Sequence, residues 1–480
     1  SDVRADLAES GSGHMGWRGL RIRPVETPGH TDAALTYIVD WRGRRLGFCG
    51  DAIGEPGLIW QPYHLEWDHW TAKGARRARK GLSRLSNVRI DQLLPSHGAV
   101  MDEPASALRQ TISSVDAFIE AKEAICPGAD EAWLPMEEVA PGVQQISPHL
   151  YQFGMNGYVL VSDDCGCLLV DPPSDAPGVL RSVADRLGVE DYSAATATHY
   201  HSDHVNGLLP VRRELGADLW LHPAVESLAA DPDAWRRPWL PNRVEDPDRI
   251  LPSEGVVSWK EYDIRVFPLP GQTRYHCGML TEVDGRRVIF SGDNFHPPSL
   301  WGGSGGFCAF NEGYPWMYGE SAGKVLELEP DVMAAGHGSF YEFLPAHMRA
   351  VREWAGDARE ALSRLAPGRS LMAQYDCHAF DIRPYRTLTE AGKPVTLGLH
   401  VRNHRPERRT WTVRADTPPG WQRRSPVRRV EVGAGESSRV SLEVAVPGGT
   451  EPGRHVVGVS ALQNGRRLGQ VAQAAVDVSG

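Results

Sequence analysis

The stretch ATATHYHSDHVNG, residues 195–207, decides how the rest of this chain is read. It sets His199, His201, Asp203 and His204 at i, i+2, i+4 and i+5. Two histidines two apart in extended backbone project to the same side and can share one metal ion. Asp203 and His204 come where the chain turns into a helix, so they can face a second metal close to the first. Before it, from 143, run the strand-like segments VQQI, LYQF, YVLVS and CLLVDPP, then the helical APGVLRSVADRLG.

Working outward, a repeat appears. Upstream lie PGHT with His30, GRRLGFCGD ending at Asp51, and LLPSHG with His97. Downstream lie PGQT with Gln272, GRRVIFSGD ending at Asp293, and MAAGHG with His337. The first two pairs are 242 positions apart and the third 240, which rules out coincidence. In both copies an apolar β-rich run leads into Gly-Asp and a second into His-Gly, which places both residues at strand ends on a shared sheet edge.

THYHSDHVNG, PGQTRYH, SGDNF and AAGHGSF, in this order over residues 143–350, resemble the metallo-β-lactamase superfamily of binuclear metallohydrolases. The resemblance implies an α/β fold, the αββα sandwich of two face-to-face sheets with helices outside. It also implies that His199 and His201 hold a first metal, that Asp203, His204 and His337 hold a second, and that Asp293 bridges them. Asp171, ending CLLVD, resembles the family's aspartate that supports this loop without binding metal. The departure is Gln272, where the family takes the first metal's third histidine. Either His276, four residues on, serves as that ligand or supports one, or it stands behind a weakened site. Amide oxygen is a poor zinc donor beside imidazole, so Gln272 is the weakest candidate.

The chain divides into residues 1–125, a degenerate C-terminal half of such a domain; a Pro- and Gly-bearing linker, 126–142; the complete catalytic domain, 143–366; and residues 367–480. The first unit carries His30, Asp51 and His97 but no HxHxDH, so catalysis is not expected there. An open half-sandwich would expose a large apolar face, which favours loss of a first half over a degenerate half-fold packed on the complete domain. The segments 103–125 and 345–366 read as closing helices, and the basic ARRARKGLSR, 75–84, as a solvated helix face. Beyond about 378, period-two alternation with spaced Pro and Gly turns predicts an all-β sandwich. It resembles the bacterial Ig-like domain appended to extracellular hydrolases, with a spacing, docking or ligand-presenting role.

The net charge of −10 argues against a nucleic-acid or anionic-membrane surface, and no apolar run is long enough to span a bilayer. Seven scattered cysteines argue against a disulfide framework and incline slightly to the cytoplasm. GSGHM, 11–15, resembles a cloning scar, so a signal peptide and secretion stay open. The expected activity is hydrolysis of a small-molecule lactone, thioester, or phosphate or sulfate ester by a hydroxide on two metals, zinc first, iron or manganese otherwise. Asp203 orients the water. The aromatic run after Asp293, with Trp301, Phe307, Phe310, Tyr314, Trp316 and Tyr318, is either a substrate wall or an ordinary packed loop. A metal-poor binding module and a mononuclear iron oxygenase are the alternatives.

Overall fold

The computed structural model describes residues 13–123, 133–338, 340–366 and 370–480. Glu137–Ala140, expected in the linker, is instead the edge strand of an eight-stranded sheet, paired with Val143–Ser147. That sheet runs in chain order to Arg249–Ile250, and its strands from Gly166–Val170 onward are parallel. GCLLV and GYVLV are buried along their whole length because one face meets helices and the other a second sheet. The helices are Ala176–Leu187, Leu208–Leu215 and Pro223–Ala229, over a core with Val159, Leu169, Leu180 and Val211.

The second sheet has six strands, from Gly255–Trp259 to Phe340–Glu342. Its inner side packs Met279, Val283 and Phe290 against Leu160, Leu168 and Val170 of the first sheet. Its outer side packs Leu280, Ile289 and Met333 against the helices Pro315–Leu328 and Pro345–Leu365. Helix, sheet, sheet, helix: this is the αββα sandwich.

The N-terminal unit repeats the second half of it. Strands Leu20–Glu26, Leu35–Trp41 and Arg44–Gly50 and helix Lys73–Ser86 each stand 242 positions before Tyr262–Pro268, Cys277–Val283, Arg286–Gly292 and Pro315–Leu328. Even the register shift matches, between Phe48 and Gly50 and between Phe290 and Gly292. The half-fold is not free-standing. Its helices pack on those of the complete domain, so Leu82, Phe118, Phe307 and Trp354 share one core. Ile59 N donates to Leu365 O at 2.8 Å and Trp354 Nε1 to Ala121 O at 2.6 Å. The other sheet face is open. Tyr37, Trp41 and Phe48 are 42–43% exposed where their counterparts Met279, Val283 and Phe290 are 2% exposed. The basic helix keeps its arginines in solvent, paired with Glu26, Asp32, Asp116 and Glu123.

From Phe380 onward two sheets, of four and five strands, enclose a core with Leu397, Trp411, Leu442 and Val459. The expected boundary at 366–367 adjoins residues 367–369, which lie outside the described residues. This sandwich does not hang from a spacer. Its Asp381 and Arg402 reach the buried Arg237 and Glu312 of the complete domain.

Candidate metal centre

Three strand ends build the site. Asp191–Thr196 runs out into His199 and His201, and Ser202–Val205 turns helical, carrying Asp203 and His204. Arg286–Gly292 ends at Asp293, and its parallel neighbour Val332–Ala335 ends two residues before His337. Gly336 N donates to Gly292 O at 2.9 Å, which seats the two ends side by side. A Cβ at 336 would lie 2.1 Å from Asp293 Oδ1, so only glycine fits there. His337 itself sits at φ 55°, a conformation costly for a non-glycine residue and common at functional sites.

These side chains form two groups whose ligating atoms lie within 4.8 Å: His199, His201 and Asp293; and Asp203, His204 and His337. Asp293 faces both. Its Oδ2 lies 3.9 Å from His199 Nε2 and 3.1 Å from His337 Nε2, and its Oδ1 3.2 Å from His204 Nε2. Asp203 Oδ2 lies 3.6 and 3.7 Å from the same nitrogens of His204 and His337. Burial pushes the Asp293 carboxyl up, but the facing His204 and His337 bring it well below the usual range. Burial lowers His204, yet Asp293 and Asp171 outweigh it and raise it well above normal. His199 is held well below its ordinary value and His201 near 4, chiefly by burial, so both keep free lone pairs.

Those lone pairs are the test of whether a metal fits. His199 Nε2 and His201 Nε2 are buried without a hydrogen-bond partner, as is Gln272 Oε1. Bare buried acceptors converging with an ionised carboxylate are costly by themselves and are what a divalent cation satisfies. Zinc, manganese or iron suits this His/Asp set.

His276 and, from the N-terminal unit, His69 both stand outside these two groups. The His276 ring lies 4.8 Å from that of His199 at an interplanar angle of 10°, and its Nε2 abuts Gly292, 2.7 Å from where a Cβ would lie. Gln272 Nε2 donates to Asp293 Oδ2 at 3.0 Å. Asp171 accepts from Thr198 N and Oγ1, both at 2.7 Å, and its Oδ2 lies 2.9 Å from His204 Nδ1. Of the aromatic run, Trp301 stands at the site, its ring edge-on to His337 at 5.0 Å. Phe307, Tyr314 and Tyr318 are core, and Phe310 faces Tyr63 and His64.

Several residues here were not singled out in the sequence. Asn156 Nδ2 donates to Asp203 Oδ2 at 3.1 Å, and its Oδ1 accepts from His337 N at 3.0 Å. Trp239 packs 5.5 Å from His201, and Trp70 lies 5.9 Å from Trp239. His69, from the N-terminal unit, lies 5.4 Å from the His201 ring. The shared offset was the available signal, because it sets residues 52–72 opposite the aromatic run after Asp293. In the N-terminal unit itself His97 Nδ1 is 2.7 Å from Asp51 Oδ1, and His30 Nε2 is 3.8 Å from Asp51 Oδ2.

Residues 152–337 match the family model described as the metallo-beta-lactamase superfamily, and residues 389–463 match the NPCBM-associated, NEW3 domain of alpha-galactosidase. A hydroxyacylglutathione hydrolase of Xanthomonas oryzae pv. oryzae is 30% identical over 28% of this chain and 44% of its own length. One from Aeromonas salmonicida is 25% identical over 36% of this chain and 57% of its own. The chain thus spans about half the length of the curated relatives it matches. Among solved structures, the MIM-2 metallo-beta-lactamase is 18% identical with a TM-score of 0.35, over 46% of this chain and 89% of its own. The subclass B3 enzyme BJP-1 of Bradyrhizobium japonicum is 16% identical with a TM-score of 0.36, over 46% and 94%.

Proposed function

We propose that this chain, whose residues 152–337 belong to the metallo-beta-lactamase superfamily, is a metal-dependent hydrolase of a small ester-type electrophile. The observation that carries this reading is Asp293, one ionised carboxylate facing donors of both ligand groups. His199, His201 and Asp293 would hold one ion, and Asp203, His204 and His337 the other, with Asp293 shared. Metals bound there supply a water of lowered pKa and polarise the scissile carbonyl or phosphoryl oxygen.

The protein's own groups do the rest. Asp203 is half exposed at the mouth and pinned through Oδ2 by Asn156, so its carboxylate can orient a water and hold its proton. Trp70, Trp239 and Trp301, each 37–44% exposed, rim the approach and offer apolar faces to an acyl or ring-bearing group. Lactones, thioesters, and phosphate or sulfate esters fit this chemistry. Because the curated relatives it resembles carry the name hydroxyacylglutathione hydrolase, a hydroxyacylglutathione is the first substrate to test.

The test is metal analysis of the full chain, followed by a chromogenic panel of lactone, thioester, phosphodiester and sulfate-ester substrates. Two metals per chain and turnover abolished by His201→Ala or Asp293→Ala are expected. One iron with oxygen consumption would make it an oxygenase, and no metal with no turnover a binding module.

A further inference from the structure

We infer that His69, from the N-terminal unit, completes the first metal site with the imidazole that Gln272 does not supply, so that the centre is built by both repeats. This rests on the metal-centre reading above. His69 is 1% exposed. Its Nδ1 lies 3.0 Å from Gly305 O, and a carbonyl only accepts, so Nδ1 carries the proton and Nε2 the lone pair. That arrangement fixes the tautomer of a metal-ligating histidine. Nε2 is buried with no hydrogen-bond partner. Left bare, such a buried acceptor is destabilising, and a bound cation relieves it.

The ring meets His201 at 5.4 Å between centroids and 68° between planes. Two imidazoles at 2.0–2.1 Å on one tetrahedral zinc place their centroids about 5 Å apart. His201 Nε2 is equally bare. By contrast, Gln272 presents its amide nitrogen, which has no lone pair to give, to Asp293. His276, whose ring nitrogens are also buried without partners, lies nearly parallel to His199 and fills the space where a Cβ at Gly292 would lie.

The surroundings are shaped for the crossing. A Cβ at Gly306 would lie 1.8 Å from His69 O, and one at Gly305 would lie 2.2 Å from Asp293 O. WGGSGG, 301–306, is therefore stripped of side chains where the 66–70 loop passes. That loop is anchored just before His69, and the ring itself is packed. Ala309 N donates to Glu66 Oε2 at 2.7 Å, Lys122 Nζ donates to Asp68 O at 2.6 Å, and Trp239 packs 4.4 Å from the imidazole. An anchored, single-tautomer histidine whose ring borders His201 is a preorganised further imidazole for the group of His199, His201 and Asp293.

The experiment loads the full chain and its variants with Co²⁺ and reads metal content, affinity and absorption spectrum, with circular dichroism as the fold control. Wild type is expected to take two ions. His69→Ala should retain one tightly and weaken the other by more than the roughly 10- to 100-fold that loss of a supporting residue costs. His69→Cys should gain a thiolate-to-cobalt charge-transfer band, a signature that only a directly bound residue produces. His276→Ala should weaken binding by no more than the roughly 10- to 100-fold of a supporting residue. A folded His69→Ala chain with two ions at wild-type affinity, or a folded, cobalt-loaded His69→Cys chain without the band, overturns the assignment while leaving the hydrolase reading intact. A wild-type chain that takes up no metal overturns both.

Discussion

Asp171 Oδ2 lies 2.9 Å from His204 Nδ1, and both side chains are shut off from solvent. The carboxylate faces Nδ1 and leaves Nε2 toward Asp203 and Asp293, while Thr198 fixes the carboxylate through two hydrogen bonds. Asp171→Asn is the informative change, because asparagine tolerates the φ of 51° found there and only the charge is lost. It should lower affinity at the His204 site by about 10- to 100-fold. Chelator competition on the purified variant measures this, and an unchanged affinity would remove Asp171 from the site.

Glu312 ties the complete domain to the C-terminal sandwich. Its carboxylate lies 3.4 Å from Arg237, 3.4 Å from Arg274 and 3.8 Å from Arg402, and Tyr275 Oη donates to it at 2.7 Å. Burial pushes Glu312 up, but Arg237 foremost brings it down to about 2. Removing one partner of a buried ion pair strands the other, so Glu312→Gln should cost about 3–5 kcal/mol in chemical denaturation. A chain ending at Ala366 lacks Asp376, Asp381 and Arg402 and should melt well below the full chain. Equal melting temperatures would restore the picture of an independent appended module.

Glu66 gives the fold a pH dependence. Burial raises its carboxyl from an ordinary value near 4.5 to about 7, against the lowering effect of Lys122, Ala309 N–H and Tyr375. Between pH 4.5 and 7 the folded chain holds a proton there that the unfolded chain has released, so this contribution to stability falls as pH rises and is gone above about 7. Denaturation midpoints at pH 5, 6, 7 and 8 should decline across the first three, and Glu66→Gln should flatten that decline. An identical slope in the variant would place the titration elsewhere.

The histidine run was legible because its four ligands are contiguous, and one strand-to-helix turn presents them whatever the rest of the chain does. Asp293 and His337 were legible because each ends an apolar run in Gly-Asp or His-Gly. Asp171 came from resemblance. His69 was hidden because its role depends on how two repeats pack, and nothing local in YHLEWDHW separates a surface histidine from one crossing into a neighbouring site. The C-terminal alternation revealed a β-sandwich but not its docking, since Asp381 and Arg402 look like ordinary strand charges until Glu312 is beside them. Loss of a first half was favoured over a half-fold packed on the complete domain, because a half-sandwich would stand open on a large apolar face. The half-fold does so on one side only, because its helices found the other copy's helices.

Trp301 offers the most direct view of how substrate enters. Its ring is 44% exposed and stands edge-on to His337 at 5.0 Å, while Trp239 packs near His201. An apolar or ring-bearing group reaching Asp203 would contact this face, and aromatic contacts contribute about 0.5–1.5 kcal/mol beyond their buried area. Trp301 sits at φ 51°, so glycine removes the ring without backbone strain where alanine would add some. Trp301→Gly should raise KM about 10-fold for substrates with large acyl or aromatic groups, as removal of a ground-state contact does, and change kcat by less than about 3-fold. Small acyl substrates should show little change in either constant, and metal content should stay at the wild-type value. Steady-state kinetics across an acyl-chain series checks this. If kcat instead fell in step with lost metal, the ring's task would be to hold His337 in place.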